Sequence, residues 1–573
     1  MKTFLNKNLN KNKNEYFLVL AGLLNLFLNY QLFNNNLSVI LVFIWFASLI
    51  SLIVPSASEH LEKKKKEQKQ FRSKTFWEKV AFFLLLISPS LVRIGNYNLT
   101  RLHGDEFLTA YFSANYDFKK DNFFAPVPRF EGEWVCQFPS LYFILQKIFF
   151  LLFKENSLTV KLSTLPYVPI ISTMLFLITK KILNKESAII AVILYSFFSA
   201  SLYLETLGLH FISSSAVFLI FFYFLVYDSK NNLTSVLSGI FCGFCYLFYT
   251  SSYIALPILV FFYLTQLIYK RRVIILKNFL LALTGVSLVI SPFLIYPLKT
   301  KKFYFTERID QVNLLSGTWA NTDDLLKQGK TLSQIIKSNF FLSFSSLYKD
   351  GVGGHGGYDF GRQAMFEKVS LVLFVLGSTV SLLFLFKNPT IIWVWVVIII
   401  SFLTGVVFTL PPPALHRFSI AFPFLILIST LPFYLVLKLK KVNRYLPYLI
   451  IIPAVLLYCL NGQRYFNKIS AAENNNAAVE LIKFIETNYP GRNIYVAAFP
   501  SFIFEKEFYF LKKRDSRQKI ITKYHDDFLN NFNVKEKYVY VIIFPEGYDE
   551  KFKAADPNGK IIKFSRDYSL FVN

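Results

Sequence analysis

Ile391–Leu410 reads IIWVWVVIIISFLTGVVFTL, an apolar stretch without a single charged side chain. As a helix rising 1.5 Å per residue, about 20 such residues match the ~30 Å hydrocarbon core of a bilayer. Val273–Leu298 is a longer run whose only charge is Lys277. Working outward from these two, thirteen segments can span: 16–33, 37–54, 79–95, 165–183, 187–204, 209–227, 233–250, 251–269, 273–298, 368–386, 389–409, 417–437 and 444–461. A cleaved signal peptide would explain only the first. The chain therefore reads as an all-α polytopic membrane protein of about 13 transmembrane helices. Composition agrees. Of 573 residues, 54% are hydrophobic and 17% charged, with a mean hydropathy of +0.41, against roughly 45–50% and about 25% in soluble domains.

The net charge of +26 invites a nucleic-acid reading, but its placement argues against one. Eight Lys/Arg fall between Lys63 and Lys79, and others cluster at Lys180–Lys185, Lys270–Arg272 and Lys438–Arg444. These short segments flank apolar runs, where cytoplasmic loops concentrate positive charge. The membrane lipid is the partner implied, not nucleic acid. The four cysteines form no disulfide framework. Cys242 and Cys245 share a CxxC spacing but lie inside an apolar run and read as small helix-packing residues, while Cys136 and Cys459 stand alone.

With the Lys-rich N-terminus on the cytoplasmic side, the KKKK loop falls inside and the loop 96–138 outside. A further apolar run, Phe138–Phe153, is short and carries Gln146 and Lys147 in its middle. Every later basic loop stays inside if this run lies in, or re-enters, the outer interface. Three parts follow. Residues 1–75 hold two extra N-terminal spans and a basic cytoplasmic loop. Residues 76–461 form the membrane body with outer loops 96–138 and 299–367, the second too long to be mere connection. Residues 462–573 read as a small extracytoplasmic α/β domain. Its expected helices are Ala477–Thr487, Phe504–Lys512 and Thr522–Phe532, and its expected strands Asn493–Ala498, Tyr538–Phe544, Lys560–Phe564 and Ser569–Val572.

The unusual polar residues then collect at the outer face. Arg101-Leu-His103-Gly-Asp105-Glu106-Phe107 follows the third span, and adjacent carboxylates held near lipid are costly unless used. Tyr203-Leu-Glu205-Thr-Leu-Gly-Leu-His210 forms an outer turn. Tyr249-Thr-Ser-Ser-Tyr253 breaks an otherwise apolar stretch, and Pro411-Pro-Pro-Ala-Leu-His416-Arg417-Phe418 caps a late span. Each alone reads as a helix end reaching for water. Four on one face supply carboxylates, cations and hydroxyls around one cavity. A lipid-linked phosphosugar presents an anionic leaving group at such a surface, which Arg or His can neutralise. A carboxylate can take the proton from an attacking acceptor hydroxyl. No nucleotide-binding motif is needed, and none is present.

This layout resembles the GT-C glycosyltransferases, specifically bacterial family 39/83-like members related to protein O-mannosyltransferases and lipid A aminoarabinose transferases. Their acidic pair in the first large outer loop is matched by Asp105-Glu106. The Pro-rich start of the next helix is matched by Phe138-Pro139-Ser-Leu-Tyr142, and an outer-face Glu element by Glu205 to His210. Their Tyr-Thr-x-x-Tyr and late Arg-aromatic elements correspond to Tyr249–Tyr253 and to Arg417-Phe418 before Pro423, and a glycine-rich loop to Gly351–Tyr358. The resemblance spans roughly residues 76–460 and implies transfer of a hexose or pentose from a polyprenyl-phosphate-linked sugar donor to a glycan, lipid or protein acceptor. It implies Asp105 as catalytic base with Glu106 and His103 beside it, and Arg417, His416 and Arg101 on the donor phosphate. Glu205, His210, Tyr249, Tyr253 and His355 are candidate substrate contacts. The two N-terminal spans are an addition to the pattern, and Glu205 lacks the arginine often found beside it. Some members of the superfamily use a divalent metal; no closed ligand set stands out here, and a metal is left open. The implied location is a bacterial or archaeal plasma membrane, with the N-terminus cytoplasmic. A polysaccharide polymerase, ligase or flippase is the alternative. A flippase would place charges midway along its spans, whereas a polymerase would place cations in its outer loops, as Lys299, Lys301, Lys302, Arg308 and Arg362 do here.

Overall fold

The computed structural model describes all residues but 1, 37, 68–75, 98–103, 127–136, 228–230, 271–272, 316–321, 353–357, 359, 410–411, 474–476, 498–519, 531–537, 544–546, 565–567 and 573. Each of the thirteen segments read from the sequence falls on a helix. Among the described residues, eight helices are long and apolar enough to cross a membrane, and a ninth counts if Lys185–Phe197 and Ser199–Glu205, bent by 62°, form one broken span. The break falls at Phe198, whose extended backbone (φ −67°, ψ 107°) interrupts the helical hydrogen bonding. The remaining four expected spans are Phe76–Asn96, which carries Glu78, Lys79 and Arg93, and three shorter apolar helices, Phe211–Tyr227, Asn232–Cys245 and Lys368–Phe384. Leu141–Phe153, the run expected at the interface, has 13 residues, about 20 Å of helix, too short to cross by itself.

Small residues set how closely the helices approach. A Cβ built on Gly239 would collide with the Ala282 backbone, and one on Gly285 would lie 2.9 Å from the Ile240 nitrogen. The helices Asn232–Cys245 and Val273–Thr300 thus meet backbone to backbone. Cys242 and Cys245 are buried in the same helix, as packing residues should be. The N-terminal pair, Lys2–Phe33 and Val39–Glu67, is tied to this unit rather than appended to it. Asn25 Nδ2 and Trp45 Nε1 each donate 3.1 Å to the Leu288 carbonyl. Trp45 also packs its ring against Phe123, Phe124, Phe244 and Phe293. The two added spans therefore buttress the loop that follows the acidic helix Gly104–Ala114.

Helix Leu446–Glu473 runs on past residue 461. Beyond it come helix Ala477–Asn488 and a five-stranded sheet of β1 (Asn493–Ala497), β2 (Ile520–Lys523), β3 (Tyr538–Ile543), β4 (Lys560–Lys563) and β5 (Tyr568–Val572). The strand order is β2-β1-β3-β5-β4. β1 pairs parallel with β2 and β3, β5 antiparallel with β3 and β4, with Val496 opposite Thr522 and Val541 opposite Leu570. One face, through Ile494, Val496, Val539 and Val541, buries Leu481, Ile482 and Ile485 of the helix. The other stacks Tyr495, Tyr538 and Tyr540 on Phe528 and Phe552. The expected helix Thr522–Phe532 divides: Thr522 and Lys523 belong to β2, and the helix is His525–Asn530. The expected helix Phe504–Lys512 lies outside the described residues.

Candidate active site

Asp105 and Glu106 occupy the first turn of Gly104–Ala114, where the positive end of the helix dipole favours carboxylates. Consecutive helical residues point about 100° apart, and the two side chains enter different surroundings. Asp105 is half-buried and accepts a hydrogen bond of 2.6 Å from the Tyr358 hydroxyl. Tyr358 reaches it from the loop 299–367, 253 residues away. Burial and the neighbouring Asp105 carboxylate both push the Tyr358 phenol well above its ordinary pKa, so this hydroxyl stays protonated and remains a donor. Glu106 is fully buried and accepts the Gly208 backbone N–H at 2.5 Å. That bond ties the start of the acidic helix to the neighbouring turn.

The remaining candidates converge through aromatic rings. The Tyr358 ring lies 4.7 Å from His416 and 5.2 Å from Phe211, which in turn is 5.2 Å from His416 and 5.0 Å from Tyr249. His210 lies 4.6 Å from Tyr249 and 4.9 Å from Phe138. Arg417 follows His416 in the turn Leu415–Ala421 and is buried. It interacts electrostatically with Tyr249 and Arg308, and its Nη1 has no hydrogen-bond partner among the described residues. Its carbonyl sits 2.8 Å from the point a Cβ on Gly405 would occupy, so the π-helical turn Leu403–Val407 needs glycine there. Such turns are frequent at functional sites. Asp105, His210, Tyr249, His416 and Arg417, drawn from four separate stretches of sequence, thus form one buried cluster.

Two candidates lie elsewhere. Tyr253 stacks on Tyr246 at 4.5 Å. Tyr249 is extended (φ −131°, ψ 146°) while Tyr253 falls inside the following turn Thr250–Ile254, and the two rings diverge. Glu205 is engaged by Arg93, whose Nε and Nη2 donate at 2.9 and 2.6 Å, and by Tyr195 and Ser201 hydroxyls at 2.7 and 2.5 Å. The arginine missing beside Glu205 in sequence is supplied from 112 residues away. Arg101, His103 and His355 lie outside the described residues. Among the described residues no group of three or more His, Cys, Asp and Glu side chains could hold a metal ion. Sequence reasoning missed Tyr358, Phe211 and Arg93. For Arg93 a signal existed, an arginine near the end of an apolar span.

Against solved structures, the chain is similar to ArnT from Cupriavidus metallidurans bound to undecaprenyl phosphate, with a TM-score of 0.52, 10% identity and coverage of 86% of this chain and 98% of that one. Its apo state matches with a TM-score of 0.50 at 11% identity over the same shares. The chain has a GT-C fold. The oligosaccharyltransferase of Archaeoglobus fulgidus aligns with a TM-score of 0.49 at 12% identity, over 85% of this chain and 74% of that one. No protein-family model and no curated protein sequence matches the chain.

Proposed function

We propose that this protein is a membrane glycosyltransferase that moves a sugar from a polyprenyl-phosphate-linked donor to a glycan, lipid or protein acceptor at the extracytoplasmic face. The observation that carries this reading is the buried cluster itself. A carboxylate that accepts the Tyr358 hydroxyl, and a guanidinium whose Nη1 has no hydrogen-bond partner among the described residues, are held among Tyr358, His416, Phe211 and Tyr249, on a GT-C fold. The ArnT structure with undecaprenyl phosphate supports the donor class.

In this mechanism the acceptor hydroxyl lies against Asp105, which takes its proton as the oxygen attacks the sugar's anomeric carbon. The bond from that carbon to the phosphate oxygen breaks, and the polyprenyl phosphate departs with its electron pair. Arg417 faces the developing phosphate charge, with His416 beside it. In a site that excludes water, such a guanidinium stabilises charge far more than it would in solvent. Tyr358 orients Asp105 before the acceptor arrives.

The test is turnover of radiolabelled polyprenyl-phosphate hexoses and pentoses by membranes containing wild-type or Asp105→Asn protein, with host lipid and protein as acceptors. Label that moves to an acceptor only with the wild type supports the reading and identifies the acceptor class. Transfer undiminished in Asp105→Asn would remove Asp105 as base.

A further inference from the structure

We infer that Glu106 is a positioning residue: its carboxylate locks the turn that carries His210 to the helix that carries Asp105. The catalytic consequence rests on the glycosyltransferase reading above; the lock itself rests on geometry.

The turn 206–210 joins the broken span ending at Glu205 to the helix Phe211–Tyr227. At its centre, both polar groups of one residue are gripped. The Gly208 N–H donates to Glu106, and the Gly208 carbonyl accepts from the Tyr142 hydroxyl at 2.8 Å and from Gln146 Nε2 at 3.3 Å. Gln146 is fixed in turn, donating to Ser163 Oγ at 3.1 Å and accepting from the Ser113 hydroxyl at 2.6 Å. Ser113 belongs to the same helix as Asp105 and Glu106, so the grip on Gly208 closes back onto the acidic helix. A side chain at 208 would collide with Val160, whose carbonyl oxygen lies 2.7 Å from the position of a Cβ. Only glycine lets the turn sit this deep.

A buried carboxylate is tolerated when an opposite charge and hydrogen bonds accompany it. Lys161 supplies the charge: it is buried, interacts electrostatically with Glu106 and donates 2.8 Å to the Tyr97 carbonyl. The pair Asp105-Glu106 thus divides its labour. Asp105 faces the cluster, while Glu106 fixes the orientation of the helix start against the His210 turn. The adjacent acidic residues are needed together because rotation of this turn by even a fraction of the 100° between them would misalign Asp105. A misplacement of about 1 Å at a reacting group costs on the order of 10²-fold in rate.

The lock is tested on the full-length protein in nanodiscs with Glu106→Ala, Glu106→Gln and Gly208→Ala, by amide exchange and by steady-state kinetics. Glu106→Ala is expected to speed exchange of the Gly208 amide at least ~10-fold and to lower kcat on the order of 10²-fold, with the donor KM within about threefold. Glu106→Gln keeps an oxygen for the Gly208 N–H and should recover activity to within about tenfold of wild type, a rescue a carboxylate acting chemically would not allow. Gly208→Ala leaves Glu106 intact and should lower kcat as Glu106→Ala does. The pH–rate profile of the residual activity should keep its wild-type shape, since Asp105 remains the base. A protected Gly208 amide in Glu106→Ala, or a folded Glu106→Gln as inactive as Asp105→Asn, overturns the inference. If the exchange pattern holds while the wild type transfers sugar from no donor, the glycosyltransferase reading fails and the lock stands.

Discussion

Glu205 with Arg93 and Asp105 with Arg417 are two sets of buried or half-buried opposite charges on one body, and they are treated in opposite ways. In the first, Arg93 gives two hydrogen bonds to Glu205, others to the carbonyls of Pro89, Tyr195 and Ser196, and lays its guanidinium 4.6 Å from the centre of the Tyr195 ring. Tyr195 adds a third bond to the same Glu205 oxygen, and the Ser201 hydroxyl donates to the other. In the second, Asp105 is half-buried and accepts the Tyr358 hydroxyl, and Arg417 keeps Nη1 without a hydrogen bond among the described residues. Native proteins rarely leave buried polar groups unsatisfied. A saturated guanidinium such as that of Arg93 holds helices together, whereas one with an unused donor, as in Arg417, reserves that capacity for something that arrives.

The sharpest way to break this contrast is to neutralise one carboxylate in each set. Asp105→Asn should leave a folded, inserted protein and lower transfer by roughly 10²–10⁴-fold, the usual contribution of a general base. Glu205→Gln should do the reverse, because it strands the Arg93 charge in the interior. Breaking a buried pair from one side costs about 3–5 kcal/mol. The expected outcome is a large drop in thermal stability in detergent, with the donor KM of the surviving folded fraction unchanged. A stable Glu205→Gln protein with altered substrate kinetics would return Glu205 to the substrate site.

Next in size is Arg417→Ala. A hydrogen bond to a charged group contributes about 1.5–3 kcal/mol, so the donor KM should rise roughly 10- to 100-fold in steady-state assays while the protein stays folded. The chain's Arg93→Ala counterpart should instead fail at expression. If both arginines gave the same phenotype, the distinction between saturated and unsaturated sets would collapse.

Much of this was legible before any coordinates. The apolar runs located thirteen helices because bilayer length and hydropathy are local properties, readable residue by residue. The four polar clusters were legible too, since charge at the end of an apolar run is a local anomaly. What could not be read was pairing. Arg93 and Glu205 are 112 residues apart, and Tyr358 and Asp105 are 253 apart. No periodicity links them, so Glu205 read as a candidate substrate contact without its arginine and Tyr358 as the end of a glycine-rich run. The divergence of Tyr249 and Tyr253 escaped for a different reason: a four-residue spacing puts side chains on one face only inside a continuous helix, and here the turn starts between them. Among the described residues nine of the thirteen pass as full crossings once the bent pair is counted; Phe211–Tyr227, Asn232–Cys245 and Lys368–Phe384 are shorter, and the fourth, Phe76–Asn96, carries Glu78, Lys79 and Arg93.

A smaller effect sharpens the comparison from within the cluster. Tyr358→Phe removes a hydroxyl that donates to Asp105 and keeps the ring against His416 and Phe211. The loss of one hydrogen bond, about 1 kcal/mol, corresponds to roughly a fivefold fall in kcat/KM. The same assay on Tyr195→Phe, which removes one of several bonds to Glu205, should show no kinetic change.

The smallest expected effect lies in the sheet domain, where a titratable group is held neutral without any role in the cluster. His525 is buried, its Nε2 lies 2.8 Å from the Ile543 carbonyl, and its ring stacks 4.0 Å from Tyr548, with Asp526 and Lys551 as its charged neighbours. Burial, the largest influence, holds its pKa below the ordinary value despite the opposing pull of the Ile543 carbonyl and Asp526. The unfolded chain therefore binds this proton more readily than the folded one, at a pKa of about 6.5. The stability His525 contributes is fully present above about pH 6.5 and declines as pH falls toward its lower folded-state value. Amide exchange across Tyr538–Ile543, corrected for intrinsic rates, should accordingly show weaker protection at pH 5.5 than at pH 7.5. His525→Phe keeps a ring for the stack and carries no titratable group, so it should lower protection at pH 7.5 through the lost bond to Ile543 and flatten the change between the two pH values. An unaltered pH dependence in His525→Phe would transfer the effect to another group.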